Sequence, residues 1–373
     1  MNSGHWAGEP LERLLRRVGE TAEQVGTRFP LYADPADGRW TTTGRGSWTG
    51  GFWAGLLWLR ALHAEGSAPG PAVPGGARDG GARRSAALAA SERLASWGLA
   101  DTATRGLILW YGTALAAGEE GAEALRERAV TAVLAAWDPG LGLVPWGAAL
   151  GGPRLRARAD GVPGLVPLLA SAGAEGRSAA AAHLHRHLEL CLPREPAARP
   201  RPAWRRDGTG GWTAEAEPAP GWTRGESWLL LSVADGLLHL GGDTARLTEA
   251  AELLLERCEF LTGPLVPPAD TRHPEGPLDT SAGAIAAVAL LKLALVPGAA
   301  RASACADRAE AVLRRLTHAH LTPRGGPRPP GMLLDGCYDA HSGTAVRHEL
   351  IWGDFFLALG LSALLGRVDL RRV

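Results

Sequence analysis

The rhythm of its joints constrains this chain more than any single motif. Apolar residues at helical spacing, punctuated by Gly and Pro, mark about twelve helical segments, near 10–27, 50–64, 84–97, 104–117, 119–136, 161–173, 177–191, 224–240, 244–260, 280–295, 299–316 and 349–366. The long joints, 31–49, 137–160, 192–223, 261–279 and 317–348, each precede an even-numbered helix. The joints from even to odd helices are short, apart from a Gly/Pro-rich stretch at 65–83 (EGSAPGPAVPGGARDGGAR), which reads as a flexible low-complexity insert. A closed ring of about six helical hairpins satisfies this alternation and puts every long loop on one face, over the N-termini of the even helices. The expected fold is an all-α (α/α)6 barrel, one domain over 1–373. Strand-like alternation is almost absent, and the wealth of Ala and Leu over Val, Ile and Thr favours helix. Loops of more than about 12–15 residues in a compact domain usually carry function, so the loop face is where a site is expected.

Charge narrows the partners. The 39 Lys+Arg balance 39 Asp+Glu, giving a formal net charge of zero. Nucleic acids and anionic membranes select a surplus of positive charge, so neither is an expected partner. No run approaches the ~18 apolar residues of a membrane span. The polar start MNSGHWAGEPLERLLRRVGE lacks the apolar core of a signal peptide, so a cytoplasmic location is expected. Cys191, Cys258, Cys305 and Cys337 lie far apart with no CxxC, which fits reduced thiols better than a zinc site or a disulfide framework. Cys337 and His341 are four residues apart, but no second pair accompanies them and the surrounding Gly residues argue for a loop, so no metal is expected.

The aromatic balance is unusual: 14 Trp against 5 Phe and 3 Tyr. Trp40, Trp48, Trp53, Trp146, Trp204, Trp212 and Trp222 fall on the long loops and the helix starts after them, with Trp228 and Trp352 one turn further on. Some will be core filler. Indole faces also stack on the C–H faces of sugars while the N–H bonds to hydroxyls, so the clustering points to a flat, ring-shaped ligand.

Few charged residues accompany them. Asp160 opens the sixth helix in ARADGVPGLVPLL, where apolar neighbours favour the protonated form needed for general-acid work; a plain N-cap is the other reading. Arg224 in GWTRGESW suits bidentate pairing with a ligand carboxylate, with Glu226 as the competing internal partner. Asp279 in LDTSAGAI looks like a helix cap. Arg347 and His348 precede LIWGDFF and either face the cavity or pair with Glu349, while Asp354 suits a buried polar tie between helices.

Four stretches together resemble the unsaturated glucuronyl hydrolases, glycoside hydrolase family 88: FPLYADPADGRWTTTGRGSWTGGFWAGLLWLRA (29–61), GWTRGESWLLL (221–231), DTSAGAIAAVALLKLA (279–294) and ELIWGDFFLALGL (349–361). They occur in the family's order across nearly the whole chain. The resemblance implies an (α/α)6 barrel, no cofactor, and a sugar-like, possibly carboxylated small-molecule substrate. It also implies hydration of the enol ether of an unsaturated uronic acid. One Asp protonates the C4=C5 double bond and helps water add, after which the hemiketal opens and the glycosidic bond falls apart. By position that Asp is Asp160; the stacking residues correspond to Trp146, Trp222 and Trp228, and the Arg between the last two to Arg224. Trp48, Arg105, Arg347 and His348 complete the candidate binding set. The chain departs from the family at TATRGLIL, where Thr104 stands in place of a second Asp with Arg105 beside it, and at Glu226 in place of a Gln. Two alternatives stay open: the fold repurposed as a biosynthetic tailoring enzyme for hydration, elimination or cyclisation, and a non-catalytic ligand-binding barrel.

Overall fold

A computed structural model describes residues 6–65, 76–193, 195, 198–242 and 244–373, the side chains of 65 and 76–79 excepted. Twelve helices occur among them: α1 (Gly8–Val25), α2 (Gly50–Glu65), α3 (Gly76–Glu92), α4 (Tyr111–Thr113, continuing a π-helical turn at Gly106–Trp110), α5 (Glu120–Ala135), α6 (Leu165–Ala170), α7 (Gly173–Cys191), α8 (Thr223–His239), α9 (Ala245–Arg257), α10 (Thr280–Ala294), α11 (Ala302–Ala319) and α12 (Ile351–Leu364). The third helix begins at Gly76, so 76–83 is helical rather than part of a flexible insert; the rest of that expected insert, 66–75, lies outside the described residues.

The even helices pack side by side and close a ring in the order α2, α4, α6, α8, α10, α12, while odd helices pack against them from outside. Sequence dictates which ring each helix joins. α12 is buried continuously from Ile351 to Ser362 and α8 from Thr223 to Gly236, as apolar-all-round helices must be. α1 instead buries one stripe, including Leu11, Leu14, Leu15 and Val18. Close approach inside the ring needs glycine: a Cβ on Gly51 of α2 would sit 2.2 Å from the Leu107 carbonyl oxygen, and one on Gly106 would sit 2.2 Å from the Leu165 nitrogen. Asp354 is buried as expected, but it lies beside Glu349 of the loop before α12 rather than against another helix, and the Glu349 carboxylate takes a bidentate bond from Arg17 at 2.7 and 3.1 Å.

The chain is not purely α. A four-stranded antiparallel sheet, ordered β2-β1-β7-β6, joins the loop before α2 (β1 Phe29–Ala33, β2 Trp40–Thr43) to the loop before α12 (β6 Gly336–Asp339, β7 Thr344–Leu350). A three-stranded sheet, β3-β4-β5, joins the loop before α6 (β3 Arg156–Arg158) to the loop before α8 (β4 Ala203–Arg206, β5 Trp212–Ala214). These strands run only three to seven residues, too short to print a period-2 pattern over the surrounding loop sequence. They tie neighbouring long loops together by backbone hydrogen bonds and so stiffen the loop face.

Candidate active site

A cavity of about 880 Å³ opens on that face, walled by the loops before α2, α4, α6, α8, α10 and α12. It gathers six of the nine expected site residues: Trp48, Trp146, Asp160, Trp222, Arg224 and Trp228. Arg105, Arg347 and His348 are not among its walls.

Asp160 sits in a single 3-10 turn, Ala159–Gly161, directly after β3. Arg158 is extended, and its backbone pairs with Ala203 of β4. This strand-to-turn transition brings side chains two residues apart together, and Arg158 forks Asp160, Nε to Oδ1 at 2.9 Å and Nη2 to Oδ2 at 3.0 Å. Both side chains remain 20% exposed. The apolar setting expected around Asp160 is therefore replaced by an ion pair, because the strand preceding it, not only the helix following it, supplies its neighbours. The Arg158 guanidinium lies over the Trp146 ring at 4.8 Å. Burial opposes its charge, but Asp160, with Glu215 behind, raises its pKa on balance. Among the described residues the Asp160 oxygens bond to nothing else, so the N-cap alternative does not hold.

A buried histidine supports this turn. The Val144 N–H donates to His183 Nδ1 at 3.1 Å, so His183 Nε2 carries the proton and meets the Gly161 carbonyl at 3.3 Å. Burial holds His183 well below its usual pKa and takes His187, packed at 4.3 Å, down to about 4. A neutral imidazole thus straps the loop carrying Trp146 to the turn carrying Asp160.

Arg224 lines the cavity and is also tied to internal partners. Its Nη1 bonds Asp279 Oδ2 at 2.7 Å and the Cys337 carbonyl, and Nη2 bonds the Tyr338 carbonyl at 2.6 Å. Asp279 is the expected cap of α10, accepting from Ser281 N–H at 3.0 Å. The pair is sealed, with side-chain exposures of 5% and 1%. Arg224 clamps the loop carrying β6 to the start of α8 and spends three of its five donors on internal partners. Glu226 turns away from Arg224 and pairs with Arg199 at 3.1 Å.

Side-chain direction accounts for the other corrections. Arg105 is buried and spends its donors on the carbonyls of Thr102, Gly98 and Ala132, with burial lowering its pKa to about 10. Arg347 is exposed on β7, and His348 folds back onto the Val346 carbonyl and packs edge-on against Tyr32. Neither pairs with Glu349, which Arg17 holds. Thr104 does line the cavity, its hydroxyl 2.8 Å from that of Thr102, so a neutral group stands where the resemblance places a second carboxylate.

Tryptophan divides between core and cavity. Trp53, Trp58, Trp97 and Trp110 are core; Trp146 and Trp228 are also buried and show the cavity little ring. Trp48 and Trp222 are only half-buried and are the indoles best placed to meet a ligand. Trp48 donates to the Tyr338 hydroxyl at 3.2 Å, and Tyr338 joins the wall. Tyr338 and Arg158 line the cavity without standing among the expected residues. The alternating RAR before Asp160 was the signal for Arg158; for Tyr338 it was an aromatic residue inside a long loop. The walls carry Arg156, Arg158, Arg224 and Arg272 against Asp160, Glu217, Asp270 and Asp339, four of each sign, so the cavity repeats the neutrality of the whole chain. Asp270 is held by Arg272 and His273, and Asp339 by the Ser342 and His341 N–H groups.

No family model and no curated protein matches the sequence. Solved structures do match. An unsaturated glucuronyl hydrolase from Bacillus sp. GL1, described as responsible for the degradation of glycosaminoglycan, superposes with a TM-score of 0.79 at 22% identity over 96% of each chain. The fold is that of the unsaturated glucuronyl hydrolases. The enzyme from Streptococcus agalactiae gives a TM-score of 0.80 at 17% identity, covering 98% of this chain and 93% of its own. A third structure, of a variant carrying dGlcA-Glc-Rha-Glc, gives 0.79 at 22% identity over 95% and 96%. The closed helical ring expected from the joints is thus shared with these hydrolases, small sheets aside. No helix among the described residues is long and apolar enough to cross a membrane.

Proposed function

We propose that the chain is a hydrolase-type enzyme that adds water across the enol ether of an unsaturated uronic acid or a similar ring, with Asp160 as the acid and base. The observation that carries this reading is the setting of Asp160. It is a cavity carboxylate with no backbone N–H bound to it, on a turn braced by His183, in a fold shared with unsaturated glucuronyl hydrolases. Asp270 and Asp339 are engaged within their own loops, and Glu217 is exposed at the rim.

In the proposed cycle the Asp160 carboxyl gives its proton to C4 of the double bond. The resulting carboxylate takes a proton from the water whose oxygen bonds to C5, so Asp160 ends as it began. The hemiketal at C5 then opens to the ketone, the ring breaks, and the aglycone leaves as an alcohol. Trp48 and Trp222 flank the ring and Tyr338 offers a hydroxyl to it. A single carboxylate serving both proton transfers fits a cavity whose other candidate position is Thr104.

The test is loss of the enol-ether ultraviolet absorbance when an unsaturated glucuronyl disaccharide is incubated with the protein, and its absence with Asp160→Asn. No loss with the wild type at high enzyme concentration would sink the reading. Thr104 favours a second reading, in which the same acid hydrates, eliminates or cyclises a different ring in a biosynthetic route. A panel of unsaturated rings without a glycosidic bond, consumed by the wild type in place of the disaccharide, would select it. Tryptophan quenching by ligands without any product would point instead to a binding barrel.

A further inference from the structure

We infer that Arg158 is the receptor for a carboxylate on the ligand, and that Asp160 and the ligand's carboxylate share its guanidinium. The inference rests on the reading above and sharpens its ligand class to a ring bearing one carboxylate close to the carbons that take up water.

The first ground is donor accounting. Arg158 spends Nε and one Nη2 N–H on Asp160. Nη1 and the second N–H of Nη2 have no hydrogen-bond partner among the described residues. A guanidinium carries five N–H groups in two usable edges, so the outer edge remains a two-donor fork that matches a carboxylate. The second ground is preorganisation. Pairing of β3 with β4 fixes the backbone, and the Trp146 ring at 4.8 Å fixes the guanidinium plane. A carboxylate docking there immobilises little that is not already held. The third ground is elimination among the cavity's other guanidiniums. Arg224 spends Nη1 on Asp279 and the Cys337 carbonyl and one Nη2 N–H on the Tyr338 carbonyl, so its outer edge is engaged. Arg156 meets Glu215 through Nε and Nη2 at 2.9 and 2.8 Å and keeps an outer edge, but among the described residues no aromatic ring lies over its guanidinium. Arg272 forks Asp270 and is half exposed, where attraction for an anion is weakened by water. Among the described cavity residues only Arg158 combines a guanidinium plane fixed by an indole with a free outer edge.

Sharing has a measurable consequence: the two carboxylates compete for one positive charge, so removing the charge of Asp160 strengthens the grip on the ligand. Methyl β-D-glucuronide and its C6 methyl ester are suitable probes, because both rings are saturated and are not turned over. Titration by tryptophan emission should give a preference for the acid of about 10-fold or more in the wild type, the scale of one charge-assisted bidentate contact. Arg158→Gln should bring acid and ester to within about 2-fold by weakening the acid alone, with Arg158→Lys in between because a point charge lacks the planar fork. Asp160→Asn should tighten the acid several-fold, by roughly the attraction of one exposed charge pair, and leave the ester unchanged. The Asp160→Asn arm keeps the shape of the site and stands even if the Arg158 variants fold poorly.

Equal affinity for acid and ester in the wild type overturns the inference. So does an Arg158→Gln variant that keeps the preference, or an Asp160→Asn variant that leaves the acid's affinity where it was. If Arg158 discriminates the acid but the unsaturated disaccharide survives incubation, the hydration reading fails and the receptor stands. If the disaccharide is consumed while Arg158→Gln keeps the preference, the receptor alone fails. A wild type that binds neither probe overturns the receptor, and the disaccharide assay decides the hydration reading separately.

Discussion

Two guanidinium–carboxylate pairs stand at the same cavity, and they teach opposite lessons. Arg224–Asp279 joins the starts of two even helices and Arg158–Asp160 joins a strand to the turn after it, and both stack an Arg on an indole, Trp222 at 5.3 Å and Trp146 at 4.8 Å. One is buried and tied by two carbonyls and a helix cap; the other keeps 20% exposure, a free outer donor edge and a carboxylate with no further partner among the described residues. The sealed pair holds loops in place. The open pair is available for chemistry. Which is which depends on the number of internal partners, not on residue type.

Breaking the sealed pair should have the largest effect on stability. Arg224→Met leaves Asp279 buried without its counter-ion, and removal of one member of a buried pair costs about 3–5 kcal/mol, so chemical denaturation should show a midpoint lowered to match. A near-wild-type midpoint would mean that Arg224 is less sealed than its contacts imply. The brace behind the open pair comes next. His183→Leu removes the partners of the Val144 N–H and the Gly161 carbonyl, costing about 1–3 kcal/mol, and turnover should fall by up to roughly 10²-fold as Asp160 loses its setting. Unchanged kcat in a destabilised variant would reduce His183 to a packing role.

A third prediction concerns pH. Glu226, beside the sealed pair in sequence, is pushed up to about 7 by burial, a rise that Arg199 only partly offsets. The folded state therefore binds a proton that the unfolded chain has released, and stability falls as pH rises from about 4.5 toward 7. Melting temperatures over that window should decline in the wild type, with a shallower slope in Glu226→Gln; identical slopes would remove Glu226 as the cause. The smallest effect is expected at the rim, where Arg272→Gln breaks only the half-exposed pair with Asp270 and should shift stability by less than about 1 kcal/mol.

The contrast also explains what the sequence could convey. All twelve helices were legible because apolar spacing and joint length are local properties, and burial of whole even helices follows from their lack of a polar face. Asp279 was legible as a helix start, whereas Asp160 lies in a separate turn before α6 because the strand ahead of it ends there. The β-strands were not, because each is a few residues inside a long loop and exists only through its partner. Arg105 and Arg347 were misplaced for a related reason: chain position says that an Arg is near the loop face but not which way it turns. Arg105 turns to three carbonyls, and Arg347 turns to solvent. The tryptophan excess pointed to the face where the cavity opens yet overstated the ring surface on offer, since Trp146 lies under the Arg158 guanidinium and Trp228 is packed against Phe52 in the core.

The most direct test compares Asp160→Asn with Asp279→Asn, substitutions of the same size at the two pairs, each read by melting temperature and by turnover of an unsaturated glucuronyl disaccharide. Asp160→Asn should melt within a few degrees of the wild type and lose turnover by about 10²–10⁴-fold, the range of a general acid–base contribution. Asp279→Asn should melt far lower and, where still folded, retain turnover. Full activity in Asp160→Asn, or a fold lost there and kept in Asp279→Asn, would contradict the account.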